Sequence, residues 1–521
     1  MLSQTKIFDM PSSQQVAPRI EDERNRLKWS GAFYTRRPVW PKDPDLVVIK
    51  RLAKKHLLTV LPSDFDDANF HVQFFAEGAF NKLYRVTYTT HPTSYMFRVT
   101  LPIDPFFKVE SEVATLAFVR ARTSIPVARV IAWDSNWDTD LGFEWLLTEM
   151  IEGVTLHDVW RQVPWERKLS LTEEVARMIV QLQRHEFDNI GSLYFASVMQ
   201  TKEGEQESRL QESNVRDNDD KITVGVGSEE AELEKLTIGS NSPATSLDRH
   251  TSSVAWTEWE DNNKDHDSEP NFAVGHMFDE VFVSESRTYL PGNRGPFQSS
   301  LEWMQAAVAV QMEYIDKGIS VSSSNTPQPQ DSEYDSSFLK AAPKKKSLCH
   351  RILDILPEIF KDEKNGSGFV LHHHDINAAN ILVDPNTFEI TGILDWEMTC
   401  VVPKWKTATE PAFLDYIEYD WESLSKEPPL PPSWDEEKDG YAIEDYDRWA
   451  YKQLRNHYNA ALNRIRRESG LVDDLDSVEV DLKQQVHREI WYVVRRWHSV
   501  DYWLRKYLNG GVDPDPETSE E

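Results

Sequence analysis

Between Phe369 and Pro403, short apolar runs alternate with turns so closely that few arrangements other than a strand, a loop and a hairpin accommodate them. Phe369, Val370 and Leu371 read as a strand entering a loop that holds Asp375. Ile381, Leu382 and Val383, then Ile390 to Leu394, read as two β-branched strands joined by the turn Asp384-Pro385-Asn386. A hairpin returns the chain on itself, so Asn380, just before the first strand, and Asp395, just after the second, converge despite their separation. That trio meets the needs of phosphoryl transfer from ATP. One carboxylate takes the alcohol proton, and oxygen ligands hold Mg2+ on the nucleotide phosphates. Asp375 suits the first role, and Asn380 and Asp395 the second.

The consecutive histidines His372, His373 and His374 are not read as a zinc site, because adjacent side chains on an extended segment point to opposite faces and no cysteine accompanies them. Glu397 is read as a polar residue at a loop start, with an approach to the metal as the alternative.

The block resembles the aminoglycoside phosphotransferase and choline kinase family in its His-x-Asp step, in the Asn five residues after the Asp, and in Ile393-Leu394-Asp395-Trp396-Glu397. The resemblance implies that Asp375 is the catalytic aspartate, that Asn380 and Asp395 are the metal ligands, and that ATP and Mg2+ are the cofactors. It also implies an α/β (α+β), bilobal protein-kinase-like fold with a small antiparallel-sheet N-lobe and a large, mainly helical C-lobe. The chain departs from the family at His374, where Gly is usual, and at Asn377-Ala378-Ala379, which replaces a His-Pro-Gly-like step. Gly191-Ser192-Leu193-Tyr194 and Arg294-Gly295-Pro296-Phe297 are similar to a fungal branch of that family. The resemblance spans about Phe74 to Leu414.

Such a fold requires a nucleotide-covering lobe upstream. Val72 to Phe75, Leu83 to Tyr88 and Tyr95 to Val99 read as three strands. The step Glu77-Gly78-Ala79-Phe80-Asn81 is the expected phosphate-covering loop, with Gly78 and Asn81 at the nucleotide. A helical pattern opens at Ser111 with Val113, Leu116 and Ala117. Strand Arg98 and helix Glu112 then stand where a kinase pairs a phosphate-holding cation with an acid, Glu110 being the competing partner. A guanidinium grips phosphate oxygens bidentately, so Arg is sensible in that place. Ile125 to Val130 reads as a strand. Glu144 to Gly153 reads as a strand ending in the inter-lobe hinge, where the backbone of Glu149 and Ile151 would hydrogen-bond adenine.

At 521 residues the chain exceeds a single domain, so two lobes with insertions are expected. The expected divisions are an N-terminal arm to 50, an N-lobe and hinge over 51–150, and a C-lobe over 151–200 and 271–508 with its catalytic loop at 369–397. Residues 201–270, rich in Glu, Asp, Ser and Asn, read as a disordered acidic insertion. A polar stretch at 320–346 reads as a flexible loop, and 509–521 as an acidic disordered tail. Helices are expected from Tyr446 to Glu468 and from Leu482 to Leu508.

The net charge of −30 argues against nucleic acid as a partner, since phosphate backbones are bound by clustered Lys and Arg. It suits cationic partners, a small-molecule substrate among them, or simple solubility, and the acidic insertion offers a contact for a protein partner. No run is long and apolar enough for a membrane span. Two cysteines and an N-terminus without a secretory layout suggest the cytoplasm, with a mitochondrial destination left open. The function expected is a kinase acting on a small-molecule hydroxyl. The alternative is a nucleotide-binding pseudokinase or scaffold, favoured by the single-glycine loop and disfavoured by the intact Asp375, Asn380 and Asp395. A protein kinase fits less well, because no Ala-Pro-Glu-terminated activation segment follows Asp395.

Overall fold

The computed structural model describes residues 27–31, 36–58, 60–61, 65–199, 254–255, 270–323, 336–363, 368–415, 426–431, 433–471 and 478–513. Most of the acidic insertion, the start of the N-terminal arm and the end of the tail lie outside the described residues. Within the arm, β1 (Trp29–Ser30) and β2 (Arg37–Pro38) form a short hairpin. Asp45 caps α1 (Leu46–Leu57) by accepting the Val47 N–H at 2.8 Å, so this helix runs through the boundary expected at residue 50.

The strands β3 (Phe70–Glu77), β4 (Asn81–Tyr88) and β5 (Tyr95–Thr100) follow the expected pattern, extended by up to two residues at their ends. In β4 every second residue, Lys82, Tyr84, Val86 and Tyr88, is buried, which gives the strand one core face. Helix α2 (Phe107–Arg122) covers the sheet and starts four residues before the expected Ser111. Ile125 to Arg129 is not a strand; β6 covers Val130–Asp134. Pro126 has no N–H to give a ladder, and its carbonyl instead accepts from Ile393 at 2.9 Å. β7 (Glu144–Glu149) completes the approach to the hinge. The lobe is an antiparallel sheet with Trp133, Phe97 and Trp145 fully buried.

The C-lobe begins with β8 (Val154–Thr155), α3 (Leu156–Val159), α4 (Trp165–Gln183), β9 (Glu186–Phe187) and β10 (Gly191–Phe195). Within the stretch read as disordered, Val254–Ala255 form β11, which pairs with β6 at the edge of the N-lobe sheet. The apolar pair finds an open strand edge there. Next come β12 (Phe272–Gly275), α5 (Glu280–Val283), α6 (Ser300–Ser323) and α7 (Ser336–Ile359). α7 corrects the expected flexible loop over residues 336–346; residues 324–335 lie outside the described ones. Phe338, Ala342 and Lys345 are buried at helical spacing, and Lys346 pairs with Asp316 of α6 at 2.7 Å, so the lysines anchor the helix.

Then follow β13 (Phe369–His372), β14 (Ile381–Val383), β15 (Ile390–Ile393) and β16 (Cys400–Pro403). One sheet has the order β12-β10-β16-β13-β9, and a smaller one β15-β14-β8. Three further helices close the lobe: α8 (Glu436–Glu468), α9 (Val478–Tyr492) and α10 (Trp497–Leu508). The single helix expected from Leu482 to Leu508 is thus broken after Tyr492, where Val493 and Val494 are buried at the corner. The architecture is the expected α+β, bilobal, protein-kinase-like one.

Candidate active site

β13 delivers the chain into a loop whose shape rests on three polar side chains. Asn377 Nδ2 donates to Asp375 Oδ1 at 2.8 Å, and Asn380 Nδ2 donates to Asp375 Oδ2 at 3.1 Å and to the Asp375 carbonyl at 2.9 Å. Asn377 Oδ1 in turn accepts the backbone N–H of Ala379 at 2.8 Å and of Asn380 at 3.1 Å. Asp375 is therefore held by both carboxylate oxygens and stays partly open to solvent. Asn377, read in the sequence only as a departure from the family, is one of the residues that hold it.

The β14–β15 hairpin forms as expected, with Ile381 opposite Ile393. At its open end the Leu394 N–H donates to the Asn380 carbonyl at 2.8 Å, which fixes Asp395 beside Asn380. Asp395 sits at φ +63°, an uncommon conformation for a residue with a Cβ. His373 connects this segment to the catalytic loop. Its Nδ1 accepts the Asp375 N–H at 3.2 Å, so Nε2 carries the proton and donates to the Leu394 carbonyl at 2.9 Å. Burial keeps the ring neutral, its pKa lowered to about 4. In the sequence His373 belonged to the His-x-Asp step but was given no role there.

Arg98 and Glu112 form the expected ion pair, with both side chains largely buried. Glu110 is not its competitor: it accepts from Trp133 Nε1 at 3.0 Å and Ser135 Oγ at 2.6 Å. A second pair was not foreseen. Lys108, fully buried in the first turn of α2, binds Glu397 two residues after Asp395. Asn81 joins both, its Nδ2 donating to Glu397 at 2.9 Å and its Oδ1 accepting from Lys108 at 3.1 Å and Thr100 Oγ1 at 2.9 Å. The Asn81 side chain is thus committed to the protein rather than to a nucleotide, because it is the polar partner that two buried charges require. Glu397 is thus tied through Oε2 to Lys108 and Asn81 and does not face solvent.

The electrostatics follow from this crowding. Burial and then Glu397 and Glu112 push the Asp395 carboxyl up, against Arg98 and Lys108. Burial would raise Glu397 too, but Lys108 and Arg98 outweigh it and hold that carboxyl down. Burial opposes the Arg98 charge, yet Glu112, Glu397 and Asp395 keep it protonated.

Three carboxylates, Glu112, Asp395 and Glu397, thus face two cations, a deficit of positive charge that a divalent ion relieves. The donors fit Mg2+: among the described residues, neither Asn380 Oδ1 nor the Asp395 carboxylate has a hydrogen-bond partner, and both are hard oxygen ligands. No three His, Cys, Asp or Glu side chains converge as a metal cage among the described residues. A site completed by nucleotide phosphates and water needs none.

Buried Arg98 Nε likewise lacks a hydrogen-bond partner, a spare donor for a phosphate oxygen. At the hinge, Glu149 N–H donates to Arg129 and Met150 N–H to Ser94, each at 2.9 Å. Glu149 can therefore meet adenine only through its carbonyl. The Ile151 N–H has no acceptor among the described residues. Gly78 N–H closes the β3–β4 turn on the Asn81 carbonyl at 2.8 Å.

Fold and site resemble those of the phosphotransferase enzyme family. Residues 71–236 match the model of the phosphotransferase enzyme family, which bears out the resemblance read from the sequence; the match ends ahead of the catalytic loop. The chain is 24% identical over 367 residues to a subtelomeric hrmA-associated cluster protein of Aspergillus fumigatus, covering 69% of this chain and 63% of that protein. It is 29% identical over 130 residues to altered inheritance of mitochondria protein 9, mitochondrial, of Debaryomyces hansenii, covering 23% and 20%. The matched region is thus less than two thirds of either relative's length.

Two solved structures are similar. One is a thermostable mutant of an aminoglycoside phosphotransferase in ternary complex with AMP-PNP and hygromycin B, at 10% identity, 88% and 96% coverage and a TM-score of 0.38. The other is Plasmodium vivax ethanolamine kinase, at 11% identity, 90% and 89% coverage and a TM-score of 0.37.

Proposed function

We propose that this chain is an ATP- and Mg2+-dependent kinase that phosphorylates a hydroxyl of a small molecule. The observation that carries the reading is the convergence of Asn380 and Asp395, each with unused oxygens, beside a firmly held Asp375. Asp375 takes the proton of the acceptor hydroxyl as its oxygen bonds to the γ-phosphorus, and the bond to the β–γ bridging oxygen breaks with its electrons leaving on ADP. Asn380 Oδ1 and the Asp395 carboxylate would hold Mg2+, which neutralises charge on the phosphates when bound. Arg98 holds a phosphate oxygen while Glu112 fixes its direction. Lys108 cancels Glu397, so that Asp395 remains the carboxylate available to a metal. Glu149 C=O and Ile151 N–H meet the adenine edge.

The test is thermal unfolding with and without Mg-ATP, comparing the wild type with Asp395→Ala. A ligand at about a hundred times its dissociation constant stabilises by roughly 2.7 kcal/mol, so the wild type alone should gain a few degrees. No gain at saturating Mg-ATP sinks the reading and moves it to a scaffold. No helix among the described residues is long and apolar enough to cross a membrane. The cellular site we favour is the cytoplasm, the mitochondrial name of the Debaryomyces relative being the reason to test a mitochondrial one.

A further inference from the structure

The start of α2 is held from both lobes, and the C-lobe grip comes from a residue that touches none of Asp375, Asn380 and Asp395. On the N-lobe side, the Glu144 carboxyl of β7 accepts the Phe106 N–H. On the C-lobe side stands His276, directly after β12. Its Nε2 donates to Asp104 Oδ2 at 2.7 Å, and its ring lies on that of Phe107, 3.9 Å between centroids and 9° from parallel. One imidazole thus meets both an acid just before α2 and the first side chain within it.

His276 is itself set by β10. Tyr194 Oη donates to the His276 carbonyl at 2.7 Å, and the Tyr194 ring meets that of Phe107 edge-on at 6.0 Å. Two residues on, the Phe278 N–H donates to Ser192 Oγ at 3.0 Å. Asp104 is 1% exposed, and a carboxylate so far out of water requires a polar partner.

The consequence travels along the helix. Asp104, Lys108 and Glu112 recur every four residues, so they line one side of α2 and its entry, a turn apart. The Asp104 carbonyl accepts the Lys108 N–H at 3.1 Å. Lys108 then binds Glu397, and Glu112 binds Arg98. The first turn of a helix lacks intrahelical acceptors for its N–H groups and frays most readily. Here that turn carries a fully buried ammonium whose partner belongs to the other lobe. A grip from that same lobe, one turn upstream, keeps Lys108 aligned with Glu397.

We propose that His276 is a positioning residue of the phosphotransfer centre, acting through Asp104 and Lys108 and touching neither nucleotide nor metal. With the start of α2 released, Lys108 no longer neutralises Glu397 beside Asp395, and Glu112 no longer aims Arg98 at a phosphate. The proposal deepens the kinase reading and rests on it.

The experiment takes three readings on the full chain: the melting temperature without ligand, the Mg-ATP concentration that gives half the thermal shift, and hydrogen exchange over residues 106–112. His276→Leu keeps apolar packing on Phe107 and removes the N–H. The expected result is a rise of about tenfold in the half-shift concentration, with faster exchange. His276→Gln, whose amide can donate to Asp104, should restore most of both. Asp104→Ser, too short to reach the imidazole, should cause the same rise and add little to that of His276→Leu. A lower melting temperature with an unchanged half-shift concentration overturns the positioning role, and so does additivity of the two substitutions. Should His276→Leu fail to fold, Asp104→Ser against the wild type decides the same question. A wild type that shifts with Mg-ATP, matched by His276→Leu in all three readings, removes the role and leaves the kinase. A wild type with no Mg-ATP shift overturns the proposal through the reading beneath it, even where faster exchange in His276→Leu shows the grip on α2 to be real.

Discussion

Lys108 does work for the centre from a position that no local pattern marks. It reaches Glu397 across 289 residues, and a buried charge stripped of its partner costs about 3–5 kcal/mol. Lys108→Met should therefore lower unfolding stability by that order in urea titration, while Lys108→Met with Glu397→Gln should regain most of it. Asp375→Asn belongs to the same scale with the opposite signature. Transfer should fall at least about a hundredfold with the Mg-ATP-induced thermal shift retained, which an ADP-release assay run beside the unfolding curves would check. Asp375, Asn380 and Asp395 were legible because strands flank them and the hairpin dictates their meeting. Lys108 was not, because its partner is remote in sequence. Asn81 was found at the right turn, but its bonds to Lys108 and Glu397 were hidden, since direction within a loop depends on which buried charges lie beneath it.

At the scale of elements, the hinge and the β14–β15 hairpin are fitted together without slack. A Cβ on Gly392 would come within 2.7 Å of Ile151 Cδ1 and 2.8 Å of its Cγ2. Overpacking of this kind costs about 1–3 kcal/mol, so Gly392→Ala should lower the melting temperature, and adding Ile151→Ala should relieve part of the loss. Helix α1 brings a pH dependence of its own. Burial and then Lys55 lower the pKa of His56, packed 5.5 Å from Trp145, to about 4. The unfolded chain takes up that proton near pH 6.5 and the native one only near 4, so stability is full above 6.5 and falls as pH drops between them. The loss is at most about 3 kcal/mol. Melting curves of the wild type should decline more steeply over this window than those of His56→Leu.

Elements with clean periodicity, such as β4 and the β14–β15 hairpin, could be read from the sequence. The first turn of α2 was hidden by its buried charges Lys108 and Glu110, and the start of α7 by Pro343 and the lysines around it.

For the whole molecule, the bilobal class was legible, since an N-lobe of alternating strands and a catalytic hairpin together admit little else. Its two thiols are both free and buried. Burial pushes Cys349 up to about 12 and Cys400 higher still. A thiolate-directed reagent at neutral pH should therefore leave the native protein unmodified and label both residues only as it unfolds, so the labelling rate measures global opening.

Contacts that cross between lobes could not be anticipated, because they depend on how the finished lobes meet. The arm is one such case. The Leu27 N–H donates to Tyr289 Oη at 3.1 Å in the C-lobe, while the Trp29 ring meets Phe80 at the tip of the β3–β4 turn, 6.5 Å away. A strap fastened at both sides of a seam is also a gauge of it. Trp29 is thus a built-in fluorophore whose emission should follow the breathing of the cleft, and a bulky fusion attached at this hairpin would wedge the two halves apart.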